Sequence, residues 1–551
     1  MRILKALFLL ITVGSCTNNR HEADLIVQHA IIWTSDSNNP EAEAMAISGD
    51  TILAVGKLDE VMQWKGDKTQ ILDANRKFIT PGFIDAHVHF LTGGMRLAEV
   101  QLRYAKTRQA FVDSIRKFAG SLPPGAWITG GDWDHENWGG KLPESSWIDS
   151  VTGDKPVFII RLDGHMGLAN SAALRQAGID AKTPDVSGGT IVRDANGKPT
   201  GIFKDNAMDL IFKAIPEPGN DMLDRAIQAA MHYVASHGVT TVHSVGDFGF
   251  EKDISTFERS AQKGSSITRA YVAMPLAGWR QLASRVKEKG HGDKWVQTGL
   301  LKGFVDGSLG SHTAAFHKPF TDAPSDSGFF VNSEDSMLAW IKGADAAGLQ
   351  CAIHAIGDRA NHTILNIFDT VQQANGARDR RFRIEHAQHL APADIPRFTV
   401  LGVIPSMQPY HAIDDGRWAE KVIGPERSKT TYAFRSLLAA KAPLAFGSDW
   451  FVAPPTPLEG IYAAVTRRTL DERNPGGWVP EEKITVEEAL RAYTAWAAFA
   501  GFQEKDRGIL KAGMLADFVI LSDDLRKIDP VEIRSVKVEK TFVGGNEVFK
   551  R

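Results

Sequence analysis

Thr80-Pro81-Gly82-Phe83-Ile84-Asp85-Ala86-His87-Val88-His89 carries an apolar run of strand length into two histidines at alternate positions. Alternate residues of an extended segment point the same way, so both imidazoles can face one ion. Neutral imidazole suits zinc and related transition metals. Alone, such a pair is weak evidence, because two histidines past a strand end are often only loop residues. Its weight comes from the same arrangement recurring downstream.

Beyond this stretch, apolar runs alternate with segments of helical period, as parallel βα units require. The expected barrel strands are 78–85, 239–244, 269–274, 300–306, 349–354, 382–386, 403–407 and 444–448. Eight such strands close an α/β fold of the TIM-like (β/α)8 kind, here placed over 78–507. Polar residues stand at the strand ends: His87 and His89 after the first, Lys302 in the fourth, His354 after the fifth, His386 after the sixth and Asp449 after the eighth. In a barrel those ends converge on one face, where active sites of this fold lie. A dispersed, cysteine-free set of this kind leaves an open coordination position, unlike a closed structural zinc site. Asp449 beside an ion can accept a proton from an activated water and pass it on. Pro454, Pro455 and Pro457 argue against its being only the cap of a long helix. Lys302, as an ammonium, is a poor neighbour for a cation, and by itself reads as an exposed or salt-bridged lysine.

The chain has 551 residues, 43% hydrophobic and 23% charged, with a net charge of -3. That balance gives no electrostatic reason to expect nucleic acid and leaves a small-molecule substrate as the expected partner. Short β-like stretches lie at both ends, over 23–77 and 508–551, and predict a small β-sandwich domain built from both termini. Residues from about 91 to 235 are too many for one βα crossover and predict an insertion over the active-site face. Within it His165 is a candidate either for a substrate contact or for a structural role, and Trp133 and Trp138 read either as an apolar wall or, more simply, as core or exposed tryptophans. His243 ends a predicted strand and is a further candidate for the pocket lining.

Residues 1–22 read as a leader and tether. Arg2 and Lys5 precede an apolar run over 6–13, then Gly14, Ser15 and Cys16. The run is too short for a mature spanning helix, and its order is that of a secretory signal. Val13-Gly14-Ser15-Cys16 resembles the bacterial lipobox, which implies lipid on Cys16, membrane attachment by that anchor only, and a periplasmic location. Cys351 is the only other cysteine. Its apolar run makes it a buried structural thiol rather than a nucleophile.

Taken together, 81–89, Lys302 with Asp306-Gly307-Ser308-Leu309-Gly310-Ser311, His354-Ala355-Ile356-Gly357-Asp358, Glu385-His386-Ala387-Gln388 and Gly447-Ser448-Asp449-Trp450 resemble the amidohydrolase superfamily. More narrowly, they resemble amidohydrolase family 3, which includes N-substituted formamide deformylases. The resemblance implies one or two divalent ions, usually zinc, on His87, His89, His354, His386 and Asp449. It also implies carboxylation of Lys302, and hydrolysis of an amide or related C–N bond by metal-activated hydroxide with Asp449 as proton shuttle. His312 stands where an arginine is common in that family, which makes it a candidate substrate contact with altered specificity. A deaminase or a lactonase or esterase on the same site remains open, as does a barrel that only binds, and so does a homo-oligomeric state. The leader carries its own test: Cys16→Ala should move the protein from the membrane to the soluble fraction, and an unchanged membrane fraction would refute the anchor.

Overall fold

Eight parallel strands form one sheet in chain order: Phe83–Val88, Val239–Ser244, Arg269–Pro275, Val296–Phe304, Gln350–Ala355, Arg383–His386, Ile404–Met407 and Ala445–Phe446. The structure is a computed structural model that describes residues 22–551, so the Cys16 reading lies outside the described residues. Among these, no helix is long and apolar enough to cross a membrane.

The first and eighth strands meet just past their ends. Asp449 N–H donates to the His87 carbonyl at 2.7 Å, and His89 N–H donates to the Trp450 carbonyl at 2.7 Å. Gly447 makes this approach possible, since a Cβ there would lie 2.5 Å from the His87 backbone nitrogen. The Asp85 carboxylate finishes the seam, accepting from Ser448 N at 2.9 Å and from Ser448 Oγ at 2.5 Å. The result is a TIM-like barrel closed by the backbone of its own candidate ligands.

Helices surround this sheet because their sequences carry an apolar stripe. In Asn220–Ala235, Leu223, Ile227, Ala230, Met231 and Val234 recur at helical spacing and are buried, the last four in the barrel core. The reading of 91–235 as one insertion is therefore too long at its C-terminal end. What covers the barrel face is a six-stranded sheet of its own, made of Val100–Gln101, Gly130–Trp133, Phe158–Arg161, Met166–Ala169, Gly189–Arg193 and Pro199–Asp205.

The run 78–85 also differs from the single barrel strand expected. Phe78–Pro81 pairs with Phe518–Leu521 and Ile31–Trp33 in the small domain, and the barrel strand begins at Phe83. The chain passes between sheets at Gly82, where a Cβ would sit 2.2 Å from the Thr240 side chain. An unbroken apolar run does not reveal that its halves join different sheets. The small domain itself is two facing sheets. One holds Ala23–Gln28, Ala44–Ser48, Thr51–Gly56 and Lys65–Asp73; the other combines Phe78–Pro81 with strands from both termini. Val27, Ile47, Ile52, Ile79, Phe518 and Phe542 share its core. A buried ion pair ties it to the barrel: Arg269 Nε and Nη2 donate to Asp517 at 2.7 and 3.0 Å.

The seam gives a sharp test. Gly447→Ala should cost about 1–3 kcal/mol through overpacking against the His87 backbone, read as a lowered melting temperature together with reduced metal retention. A variant with unchanged melting temperature and metal content would show the seam to be looser than described.

Candidate metal centre and its cavity

Each candidate ligand reaches the cavity from a strand end or its seam. His87 Nε2 lies 3.4 Å from Asp449 Oδ1, and His89 Nε2 lies 3.5 Å from the same oxygen. Donors about 2.0–2.1 Å from a tetrahedral ion stand about 3.4 Å apart. The spacing of this trio is therefore that of a ligand set, and the chemistry of its donors suits zinc. Lys302 Nζ is 3.1 Å from His87 Nε2. The His386 ring is centred 4.9 Å from His87 and 4.5 Å from His354. His87, His89, Lys302, His354, His386 and Asp449 thus come together, though far apart in sequence.

A second layer decides which nitrogen of each imidazole stays available. His87 Nδ1 donates to Glu385 Oε2 at 2.5 Å, His89 Nδ1 meets Asp247 Oδ1 at 3.2 Å, and His386 Nδ1 donates to Gln408 Oε1 at 2.8 Å. Each leaves Nε2 for an ion. His354 is reversed: its Nε2 donates to the Gly307 carbonyl at 3.0 Å, which leaves Nδ1. Such partners fix tautomer and ring orientation and raise ligand basicity.

The charges follow from burial and these contacts. Burial would raise the Glu385 carboxyl, but Arg383 and His87 together hold it below the usual carboxylate range. Burial would likewise raise Asp449, and His87, His386 and His89 hold it well below normal, so it is ionised. Burial, reinforced by neighbouring cationic groups, keeps His354 and His386 neutral, the form that ligates. Burial pushes Lys302 down to about 8, against the opposing pull of Glu385 and Asp449.

A cavity lies beside this cluster, about 550 Å³ in volume when the part open to solvent is counted. The insertion supplies one wall through Arg161, Asp163 and His165. His165 Nδ1 donates to Asp205 Oδ1 at 2.6 Å. His243 and His312 do not line it. His243 is buried in the barrel interior between Arg383 Nη1 at 3.0 Å and Gln503 Oε1 at 3.1 Å, and His312 pairs with Asp322 at 2.9 Å. Nor does either tryptophan form its wall: Trp133 is fully buried and donates to the Ile159 carbonyl, and Trp138 packs on the same insertion core. Sequence reasoning missed His411, whose Nε2 is buried without a partner beside His386 and Asp449. It missed Asp415 as well, a lining residue that accepts from Tyr432 Oη at 2.5 Å and Gln388 Nε2 at 2.9 Å. Both lie on the helix Pro409–Asp415 rather than directly at a strand end. The histidine within Gln408-Pro409-Tyr410-His411 was the available signal.

Residues 70–549 match the family model described as the amidohydrolase family. The chain belongs to that family. It is 40% identical over 542 residues to protein LONG AFTER FAR-RED 3 of Arabidopsis thaliana, covering 96% of this chain and 92% of the relative. It is 28% identical over 552 residues to the N-substituted formamide deformylase of Arthrobacter pascens, covering 96% and 98%. Among solved structures, an uncharacterized metal-dependent hydrolase from Pyrococcus horikoshii OT3 superposes with a TM-score of 0.74 at 26% identity, covering 92% of this chain and 99% of that one. This amidohydrolase is a metal-dependent hydrolase with a His/Asp metal-binding cluster in its barrel mouth.

Glu385 orients a ligand without touching the ion, so Glu385→Gln should fold yet bind zinc about 10- to 100-fold more weakly. Competition against a chelating dye reads this directly, and wild-type affinity in the variant would remove Glu385 from the site.

Proposed function

We propose that this amidohydrolase cleaves an amide or related C–N bond of a small N-acyl or N-formyl amine. The observation that carries the reading is Asp449: an ionised carboxylate on the cavity wall, 3.4 and 3.5 Å from the free nitrogens of two histidines. A zinc-like cation held by His87, His89, His354, His386 and Asp449 would acidify a water and polarise a carbonyl there. Asp449 then accepts the proton of the attacking water and delivers it to the departing nitrogen. The water oxygen bonds to the carbonyl carbon, the C–N bond breaks, the amine leaves with that proton, and the new carboxylic acid releases the water's second proton to solvent to leave a carboxylate. His165, fixed by Asp205, and the nearby Asp163 position the substrate from the insertion side. Likeness to a formamide deformylase supports the acyl-amine class.

Lys302 fits conversion to a carbamate. Burial favours its free amine, and the amine nitrogen can attack carbon dioxide, losing a proton to give an anion suited to bridging two ions. Lipid on Cys16 would hold the barrel in the aqueous phase at the membrane surface, facing the periplasm.

The deciding experiment pairs metal content per chain with hydrolysis of a panel of N-formyl and N-acetyl amines. One or two ions, activity abolished by chelation and restored by zinc, and a fall of about 100- to 10,000-fold in Asp449→Ala are the expected results. A folded protein that binds no ion and leaves the panel untouched would refute the reading.

A further inference from the structure

His411 sits on Pro409–Asp415, a helix that begins directly after the seventh barrel strand with proline in its first turn. That placement carries its imidazole into the cavity beside His386, the two rings lying 6.4 Å apart and within 10° of parallel. Its Nε2 is buried and has no hydrogen-bond partner. A buried polar atom left unpaired costs about 1–3 kcal/mol, so this nitrogen marks a place where an oxygen of some ligand belongs. The neighbouring polar groups are already engaged. Arg161 is held by Asp134 and Asp163, and His165 by Asp205.

Spacing separates the two roles open to such a nitrogen. His87 and His89 close to 3.4 and 3.5 Å on Asp449 Oδ1, as ligands of a common ion do. His386, His411 and Asp449 are also grouped closely enough to be candidate ligands, but His411 makes no contact of ion-pair length with Asp449, as His87 and His89 do. Ligands of one tetrahedral ion stand about 3.4 Å apart. His411 stands farther from Asp449 than a co-ligand of that ion would, and its unpartnered Nε2 is left for a ligand oxygen.

We propose that His411 is a catalytic residue whose Nε2–H holds the substrate carbonyl oxygen as it becomes an oxyanion. The inference rests on the hydrolase reading above. As the attacking oxygen bonds to carbon, the carbonyl π pair moves onto oxygen and the His411 hydrogen bond shortens. When the C–N bond breaks, the pair returns and the bond relaxes. His411 donates throughout and transfers no proton.

The test compares His411→Ala and His411→Gln with wild type, because glutamine can present an N–H near the same point. Expected for His411→Ala is a loss of about 100- to 1,000-fold in kcat on the N-formyl and N-acetyl amines, with KM nearly unchanged. Metal content and the visible spectrum of the cobalt-substituted protein should match wild type, and His411→Gln should recover a large part of the rate. A lost ion or an altered cobalt spectrum would make His411 a ligand and overturn the proposal. Near-wild-type kcat in His411→Ala, or no recovery with glutamine, overturns it while leaving the hydrolase reading intact. A wild-type protein that binds no ion and hydrolyses none of the panel overturns both.

Discussion

The Glu385 carboxylate, wholly buried between the Arg383 guanidinium and the His87 imidazole, is the contact on which the metal centre depends. Burying an ion pair is not in itself stabilising, because desolvation can outweigh the attraction. What this one provides is direction. Arg383 is pinned by Glu385, by the Ala86 carbonyl at 2.5 Å, by Ser406 at 2.9 Å and by His243 at 3.0 Å. With the guanidinium fixed, Glu385 has one position, and His87 can present only Nε2 to the cavity. His243 therefore serves the site at one remove, by holding the arginine that holds the carboxylate.

The same strand shows how the chain resolves a conflict between regular structure and chemistry. Side chains alternate along a strand, so Arg383 and Glu385 share the barrel interior and His386 would point away. His386 instead takes φ 73° and Ala387 φ 43°, and the imidazole swings into the cavity. Asp449 does likewise at φ 59°. Left-handed backbone at residues with side chains is uncommon and is found where surrounding structure over-determines it. Here the surroundings are the barrel seam: the Asp449 N–H bonded to the His87 carbonyl fixes both the closure and the ligand geometry. Folding and site assembly are one event at this point.

That coupling explains what could be read from sequence. His87, His89, His354, His386 and Asp449 each stand where an apolar run stops, and a polar residue at that place has few purely structural reasons to be there. The barrel strands were visible for the same reason. The strand Lys65–Asp73 was not, because its residues are mostly exposed and carry no apolar period. His411 escaped because it lies past a strand end, on a helix whose turn into the cavity depends on tertiary packing. His243 and His312 stand near strand ends and loops of the right region, but their partners, Arg383 and Asp322, are known only once the chain is folded.

The insertion is where the shared chemistry becomes specific to this chain. Arg161 lies between Asp134 and Asp163, and Arg417 from the barrel side reaches across to Asp134 at 3.2 Å. The Arg417 pair ties the extra sheet to the barrel mouth, and the two Arg161 pairs, within the insertion, hold the polar wall opposite the ligands. Fold similarity extends over nearly the whole chain, yet a barrel of this kind hosts many reactions. The ligand cluster and the wall made by Arg161, Asp163 and His165 line one cavity, so under the proposed function the first sets how a bond is broken and the second which substrates reach it.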